Sequence, residues 1–234
     1  MFETIEDEDE GRTIKITVLG EPSTGKTCLC NRYLGGSGTS PASTHGAEVT
    51  AGQCLGLRPA VPFQLCDVAG NSLATSMLTN YLYASDIVLF VYDLTNLQSF
   101  ERLDVWLSKV QDVYKHETKK PCMAIFGNKS DLEHQRAVRL SCVQTFATKH
   151  GLESFKGSAR TGELVNIAIT SLIARVLGSK MVSILAADEK PTGKQIQISQ
   201  VPPEEVEIAL PLIMSRKSLR KVQRKESSSV CELQ

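Results

Sequence analysis

The sequence predicts an α/β protein built on a doubly wound, mostly parallel six-stranded sheet with helices on both faces. Apolar runs typical of buried strands cover residues 13–20, 86–93 and 122–129. Amphipathic patterns with a helical period lie between these runs. Strands that alternate with helices along a chain are joined by right-handed crossovers and pair in parallel. In such sheets ligands bind at the carboxyl ends of the strands, so functional residues are expected in the loops there.

The remaining elements follow in chain order. Alternating patterns at 47–57 and 61–67, on either side of RPAVP, predict an antiparallel hairpin with Pro59 and Pro62 near its turn. A short strand is expected around Phe155. Helices are predicted over 26–34, 73–83, 98–115, 138–149 and 163–177.

Composition and charge divide the chain into three parts. Residues 12–178 carry the predicted elements, whereas 1–11 are acidic and expected to be disordered, and 179–234 are expected to form a flexible tail. The 26 basic and 26 acidic residues cancel, which argues against a nucleic-acid-binding protein. Because no apolar run is long enough to span a membrane and the acidic start is unlike a signal peptide, a cytoplasmic protein is expected.

The cysteines and histidines do not indicate a metal site. The chain has no CxxC pair, and its four histidines have no ligand spacing with each other or with a cysteine. We therefore interpret the first six of the seven cysteines as small buried apolar side chains.

A phosphate-binding loop is predicted after the first strand. GEPSTGKT, residues 20–27, matches G-x-x-x-x-G-K-[ST] and lies between a predicted strand and a predicted helix. The glycines allow backbone N–H groups to curl around phosphate oxygens, and the helix N-terminus adds partial positive charge. Lys26 is expected to reach the β- and γ-phosphates, and the Thr27 hydroxyl to coordinate Mg²⁺. The alternative is an ordinary glycine-rich turn, which the strand–loop–helix context disfavours.

Three shorter motifs follow later strands. In DVAG, Asp67 is expected to supply a carboxylate to the magnesium shell, and the Gly70 N–H to sense the γ-phosphate. In NKSD, residues 128–131, the terminal aspartate can accept hydrogen bonds from guanine N1 and the exocyclic amine, which adenine does not offer in that pattern. In SAR, residues 158–160, the central N–H is expected to meet guanine O6. Each motif alone is often a surface loop, but their order and spacing favour a guanine nucleotide.

These four motifs resemble those of Ras-superfamily small GTPases. YLYASDIVLFVYDLTNLQSFERLDVWLSKV and NKSDLEHQR resemble the Rab family, most of all the branch numbered twenty-eight, and the likeness covers residues 13–178. It implies GTP and GDP as ligands, Mg²⁺, and a cycle run by effectors, an exchange factor and a GTPase-activating protein. The segment STHGAEV aligns with switch I of the family, which implies that Thr44 is a further magnesium ligand.

The resemblance also assigns roles to the matching residues. Lys26, Gly70 and Asn71 take the catalytic positions, and Thr27, Thr44 and Asp67 the metal positions. The positions that contact nucleotide are Gly20, Ser23, Thr24, Gly25, Lys26, Thr27, Cys28, Thr44, Gly70, Asn128, Lys129, Asp131, Ser158, Ala159 and Arg160.

Several positions depart from the family pattern. Asn71 stands where the family has a glutamine that orients the attacking water. Its side chain is shorter by one bond, about 1.5 Å, and since misplacement by about 1 Å can cost on the order of a hundredfold in rate, we expect slow hydrolysis. Pro22 stands where glycine is usual and would crowd the side of the γ-phosphate that an arginine finger uses. Switch I lacks an aromatic residue, and Cys66 replaces the tryptophan that Rabs use toward effectors.

The C-terminal tail suggests membrane attachment. The chain ends CELQ, so Cys231 fits a C-a-a-X prenylation motif of the farnesyl type. Six basic residues without an acidic one lie upstream between 216 and 225, and such a patch strengthens a single lipid anchor. This predicts a prenyltransferase, a prenyl-binding chaperone and a membrane surface as partners. The alternatives are a solvated basic tail with an accidental cysteine, or a nuclear signal.

The sequence leaves two functions open. The first is a farnesylated GTP-hydrolysing switch in vesicle or endosomal traffic, to which the resemblance to the branch numbered twenty-eight adds a ciliary role by implication. The second is a hydrolysis-deficient, nucleotide-locked scaffold or cargo adaptor, which Asn71 and Pro22 both favour. A phosphate-loop kinase or ATPase is disfavoured by the NKSD and SAR motifs.

Overall fold

A computed structural model describes residues 12–37 and 43–178, and within them six strands form one sheet. The strand order is β2-β3-β1-β4-β5-β6, and β2 and β3 pair antiparallel while every other pair is parallel. This confirms the predicted fold class and the predicted hairpin. The strands are β1 Ile14–Leu19, β2 Ala47–Cys54, β3 Val61–Val68, β4 Ile87–Asp93, β5 Cys122–Asn128 and β6 Glu153–Lys156.

The helices cover both faces of this sheet. They are α1 Lys26–Tyr33, α2 Leu78–Leu82, α3 Leu97–Glu101, α4 Leu103–Val113, α5 Leu140–His150 and α6 Val165–Val176, with 3-10 turns at Ser72–Ala74 and Ser130–Gln135. Within the described ranges, none of these helices combines the length and the apolar character that a membrane span requires. The predicted segments 1–11 and 179–234 lie outside the described residues.

Two predicted helices are each interrupted. The segment predicted as one helix over 73–83 contains Thr75 in an extended conformation (φ −94°, ψ 147°), which separates the 3-10 turn from α2. The segment predicted over 98–115 divides at Arg102, whose ψ of −12° is that of a turn rather than of an α-helix. Apolar periodicity does not reveal either break, because the apolar side chains still face the core on both sides of it.

The core consists of two apolar layers, one on each side of the sheet. Along β4, Ile87, Leu89 and Val91 pack in the layer with α1 and α6, while the alternate residues pack in the layer with α2 to α5. A strand with both faces buried is the reason for its unbroken apolar sequence.

The expectation that the first six cysteines are buried is wrong for one of them. Cys142 is exposed, because the buried stripe of α5 is formed by Val143 and Ala147 one turn apart. Cys28 and Cys122 are only half-buried. The other three described cysteines are buried as predicted.

The parallel register aligns the strand ends that carry the motifs. Asp67 near the end of β3 pairs with Val18 of β1, and Asn128 at the end of β5 pairs with Asp93 of β4. The loops that follow β1, β3, β5 and β6 therefore open at the same edge of the sheet.

Candidate nucleotide-binding site

The loop between β1 and α1 requires its two outer glycines. Gly20 and Gly25 adopt positive φ angles of 139° and 88°. A Cβ atom at Gly20 would lie 2.1 Å from the carbonyl oxygen of Val91, and one at Gly25 would lie 2.4 Å from Nδ2 of Asn128. The loop is therefore pressed against the ends of β4 and β5, which only glycine permits.

Lys26, the first residue of α1, folds back into this loop. Its Nζ donates to the carbonyl oxygens of Gly20 at 3.0 Å and Glu21 at 2.9 Å. Thr24 Oγ1 donates to the same Glu21 carbonyl at 2.9 Å. Burial lowers the pKa of Lys26, although the negative charge of Asp67 opposes that shift. A buried ammonium in a loop that leads into a helix N-terminus is a suitable setting for phosphate oxygens.

Three side chains with oxygen atoms that can coordinate a cation lie together near Lys26. Thr27 Oγ1 lies 2.8 Å from Thr44 Oγ1, Thr44 Oγ1 lies 3.5 Å from Asp67 Oδ2, and Thr27 also hydrogen-bonds that carboxylate. Asp67 Oδ1 is buried and has no hydrogen-bond partner among the described residues. Burial raises the pKa of Asp67 despite the Thr27 hydrogen bond and the Lys26 charge. An all-oxygen set with an unsatisfied carboxylate oxygen fits Mg²⁺.

A cavity of about 390 Å³ opens over these groups. Its walls include Pro22 and Gly70, and these two residues are in close contact, since a Cβ at Gly70 would lie 2.3 Å from the backbone nitrogen of Pro22. Asn71 also lines this cavity and is exposed to solvent. The predicted site residues that line it are Ser23, Gly25, Lys26, Thr27, Cys28, Thr44, Gly70 and Asn71.

Asn128 joins the phosphate loop to the loops after β5 and β6. Its Nδ2 donates to the Thr24 carbonyl at 2.8 Å, and its Oδ1 accepts from the backbone N–H groups of Lys129 at 2.8 Å and Ala159 at 2.9 Å. The Ala159 N–H, which was expected to meet guanine O6, therefore donates to Asn128 here. Asn128 is buried, and its bonds to Thr24 and Ala159 are shielded from water, whereas the bond from Lys129 is partly buried.

Asp131 is held by the loop after β6. Ser158 Oγ donates to Asp131 Oδ1 at 2.6 Å, and Arg160 Nη1 lies 3.8 Å from Oδ2. Ser158 is fully buried, whereas the Arg160 side chain is largely exposed. The aspartate carboxylate is thus oriented by one short hydrogen bond at Oδ1, and its Oδ2 lies beside the largely exposed Arg160 guanidinium.

Sequence reasoning missed Asp93, which lies between the two halves of the site. Lys129 Nζ donates to Asp93 Oδ2 at 2.6 Å and to the Ser23 carbonyl at 3.0 Å. Ser23 itself has a φ of 62°, an uncommon conformation for a residue with a side chain. The signal for Asp93 was its place at the end of the strand DIVLFVYD, at the edge where ligands bind. The predicted lipidation residue Cys231 lies outside the described residues.

Comparisons with known proteins agree with this architecture. The Ras family model matches residues 15–178. The chain is 34% identical over 175 residues to the Ras-related protein Rab-28 of Caenorhabditis elegans, which covers 74% of this chain and 71% of that protein. It is 29% identical over 160 residues to the Ras-related protein Rab-26 of Homo sapiens, covering 68% of this chain and 61% of that protein. It is 28% identical over 193 residues to the GTP-binding protein YPTM1 of Zea mays, covering 80% and 91%. The chain therefore belongs to the Ras family, and within it to the Rab small GTPases, as a Rab-28-like member.

Proposed function

We propose that this Rab-type GTPase binds GTP and GDP together with Mg²⁺, hydrolyses GTP slowly, and switches effector binding at a membrane surface. The observation that carries the proposal is the convergence of Thr27, Thr44 and Asp67 beside the buried ammonium of Lys26. Bound Mg²⁺ would neutralise charge on the β- and γ-phosphates. An exchange factor, a GTPase-activating protein and effectors are the partners that such a cycle requires.

One set of residues is proposed to bind the phosphates and another the guanine base. Lys26 and the backbone N–H groups of residues 23–28 bind the phosphate oxygens, and Gly70, which lines the same cavity, donates its N–H to the γ-phosphate. Asp131 accepts from guanine N1 and the exocyclic amine, while the stem of Lys129 covers the base. Asn128 supports both halves through its bonds to Thr24 and Ala159.

Slow hydrolysis is proposed from Asn71 and Pro22. The Asn71 amide lines the cavity and can orient a water molecule, but it reaches about 1.5 Å less far than a glutamine amide. The Pro22 ring lines the same cavity next to Gly70, where it narrows the approach to the γ-phosphate.

Replacing Asn71 by glutamine is expected to raise the single-turnover rate of GTP hydrolysis by about tenfold or more, because the longer side chain moves the amide toward the attacking water. The measurement is phosphate release after loading with Mg²⁺ and GTP, with ATP as competitor to test base preference. Asn80→Gln, the same change at an exposed position of α2, is the matched control and should leave the rate unchanged. Equal rates in wild type and Asn71→Gln would contradict the proposal.

A nucleotide-locked scaffold is the second candidate, and the Pro22 ring in the cavity wall favours it. Tight GTP binding without turnover in wild type, Asn71→Gln and Pro22→Gly alike would support the scaffold. GTP turnover of the wild-type protein that rises when cell extract is added would support the cycling switch.

Membrane attachment is proposed for the tail. Cys231→Ser is expected to abolish incorporation of a labelled farnesyl group and to lower binding to anionic vesicles at least about tenfold, because the basic segment alone then remains. Cys142→Ser, at an exposed cysteine of the folded domain, is the matched control. Incorporation that survives in Cys231→Ser would refute this site. Endosomal or ciliary membranes, with a prenyltransferase and a prenyl-binding chaperone as partners, belong to the same proposal.

A further inference from the structure

The side chain of Glu21, the second residue of the phosphate loop, is bound to helix α4 instead of facing the cavity. Its Oε1 accepts a hydrogen bond from Trp106 Nε1 at 2.8 Å and a second from Arg102 Nε at 3.3 Å. Trp106 is completely buried, and the indole N–H is the only polar group of its side chain. The bond therefore joins positions 85 residues apart, from the loop to the first turn of the amphipathic helix α4.

The backbone of Glu21 bonds to the phosphate-binding lysine. The Glu21 carbonyl accepts from Lys26 Nζ at 2.9 Å and from Thr24 Oγ1 at 2.9 Å. Since the next residue is Pro22, the backbone of Glu21 is restricted to extended conformations and cannot easily compensate if its side chain is released. The side chain thus fixes a residue whose carbonyl in turn holds the Lys26 ammonium.

A simpler reading is that Glu21 only satisfies a buried indole. Two features are not explained by that reading. First, the Glu21 carboxylate binds Arg102 as well as the indole. Second, the backbone carbonyl of Glu21 accepts a hydrogen bond from Lys26 Nζ. A Cβ at Gly70 would lie 2.7 Å from the carbonyl carbon of Glu21, so a shift of this residue would also reach the DVAG segment.

We propose that Glu21 is a positioning residue for nucleotide binding, held by Trp106, and that it acts by setting the position of Lys26. The ligand class is the β-phosphate-bearing guanine nucleotides. The inference rests on the proposed function in one respect, that Lys26 binds phosphate.

A double-mutant cycle on the full-length chain tests this proposal. The dissociation constants of fluorescent GDP and GTP are measured with Mg²⁺ for wild type, Glu21→Ala, Glu21→Gln, Lys26→Met and the Glu21→Ala/Lys26→Met pair. Glu21→Ala is expected to weaken binding about tenfold. Glu21→Gln, which keeps an oxygen acceptor for the indole, is expected to stay within about threefold of wild type. In the Lys26→Met background, Glu21→Ala is expected to change the affinity by less than about twofold, because coupled residues are not additive.

Each outcome separates this inference from the proposed function. If Lys26→Met binds as tightly as wild type, the role of Lys26 fails. If Lys26→Met weakens binding but Glu21→Ala adds its full effect to it, the positioning role of Glu21 is overturned. If glutamine is as damaging as alanine, the hydrogen bond to Trp106 is not what holds the loop. Glu101→Ala, at an exposed glutamate of α3, is the matched control and should bind like wild type.

The single tryptophan of the chain provides a second readout. Since the indole N–H donates to Glu21, the emission of Trp106 is expected to shift in folded Glu21→Ala and to return toward the wild-type position in Glu21→Gln. An emission maximum that is the same in all three proteins would overturn the hydrogen bond on which the proposal rests.

Discussion

Replacing Asn128 by alanine is expected to weaken GTP binding by at least about a hundredfold, which corresponds to about 2.7 kcal/mol. The Asn128 amide makes three hydrogen bonds, two buried ones to the Thr24 carbonyl and the Ala159 N–H and a partly buried one to the Lys129 N–H. Alanine leaves these three backbone groups without that partner, and each unsatisfied buried group costs roughly 1–3 kcal/mol. Loss of these bonds is expected to lower the stability of the fold. It also removes the link that holds the phosphate loop to the loops after β5 and β6.

The measurement is the dissociation constant of fluorescent GTP, together with thermal unfolding of the same samples. Asn96→Ala is the matched control, because the Asn96 side chain also accepts backbone hydrogen bonds, from Gln98 and Ser99 at the start of α3. Losing that cap is expected to cost about 1 kcal/mol of folding free energy without affecting nucleotide affinity. Equal affinities for the two variants would show that Asn128 does not organise the site.

The central strands β1, β4 and β5 were predictable because most of their residues are buried on both faces of the sheet. The runs at 13–20, 86–93 and 122–129 are mostly apolar, and each ends within one residue of the end of β1, β4 or β5. The helix breaks at Thr75 and Arg102 were not predictable, because single backbone angles decide them and the apolar period continues across each break.

The same distinction applies to the site. Residues within a local motif, such as Lys26 and Asp131, were predicted because a short pattern at a strand end specifies them. Asp93 and Trp106 were missed as site residues, because their contacts to Lys129 and Glu21 join positions 36 and 85 residues apart. No local pattern encodes such pairs. They follow only from the register of the sheet and the packing of α4 beneath the loop.

The positive φ of Ser23 also escaped prediction. A side chain in this conformation costs of order 1–3 kcal/mol and persists only where the surroundings enforce it. At Ser23 the surroundings include Lys129, whose ammonium binds the Ser23 carbonyl and Asp93 together. The loop is thus held from one side by Lys129 and from the other by Glu21, with Pro22 between the two attachments.

Replacing Asp131 by asparagine is expected to reverse the base preference of the site, so that xanthosine triphosphate binds more tightly than GTP. Ser158 Oγ bonds Asp131 Oδ1 at 2.6 Å, and this contact is retained by the amide oxygen of asparagine. The amide nitrogen then takes the place of Oδ2 and presents a donor to the base. Guanine offers donors there, so GTP affinity is expected to fall at least about a hundredfold, whereas the xanthine O2 is an acceptor and gains a hydrogen bond.

Competition of both triphosphates against fluorescent GDP measures the preference. Asp112→Asn, at an exposed position of α4, is the matched control and should keep the wild-type preference for GTP. An Asp131→Asn protein that still prefers GTP would mean that another group reads the base edge.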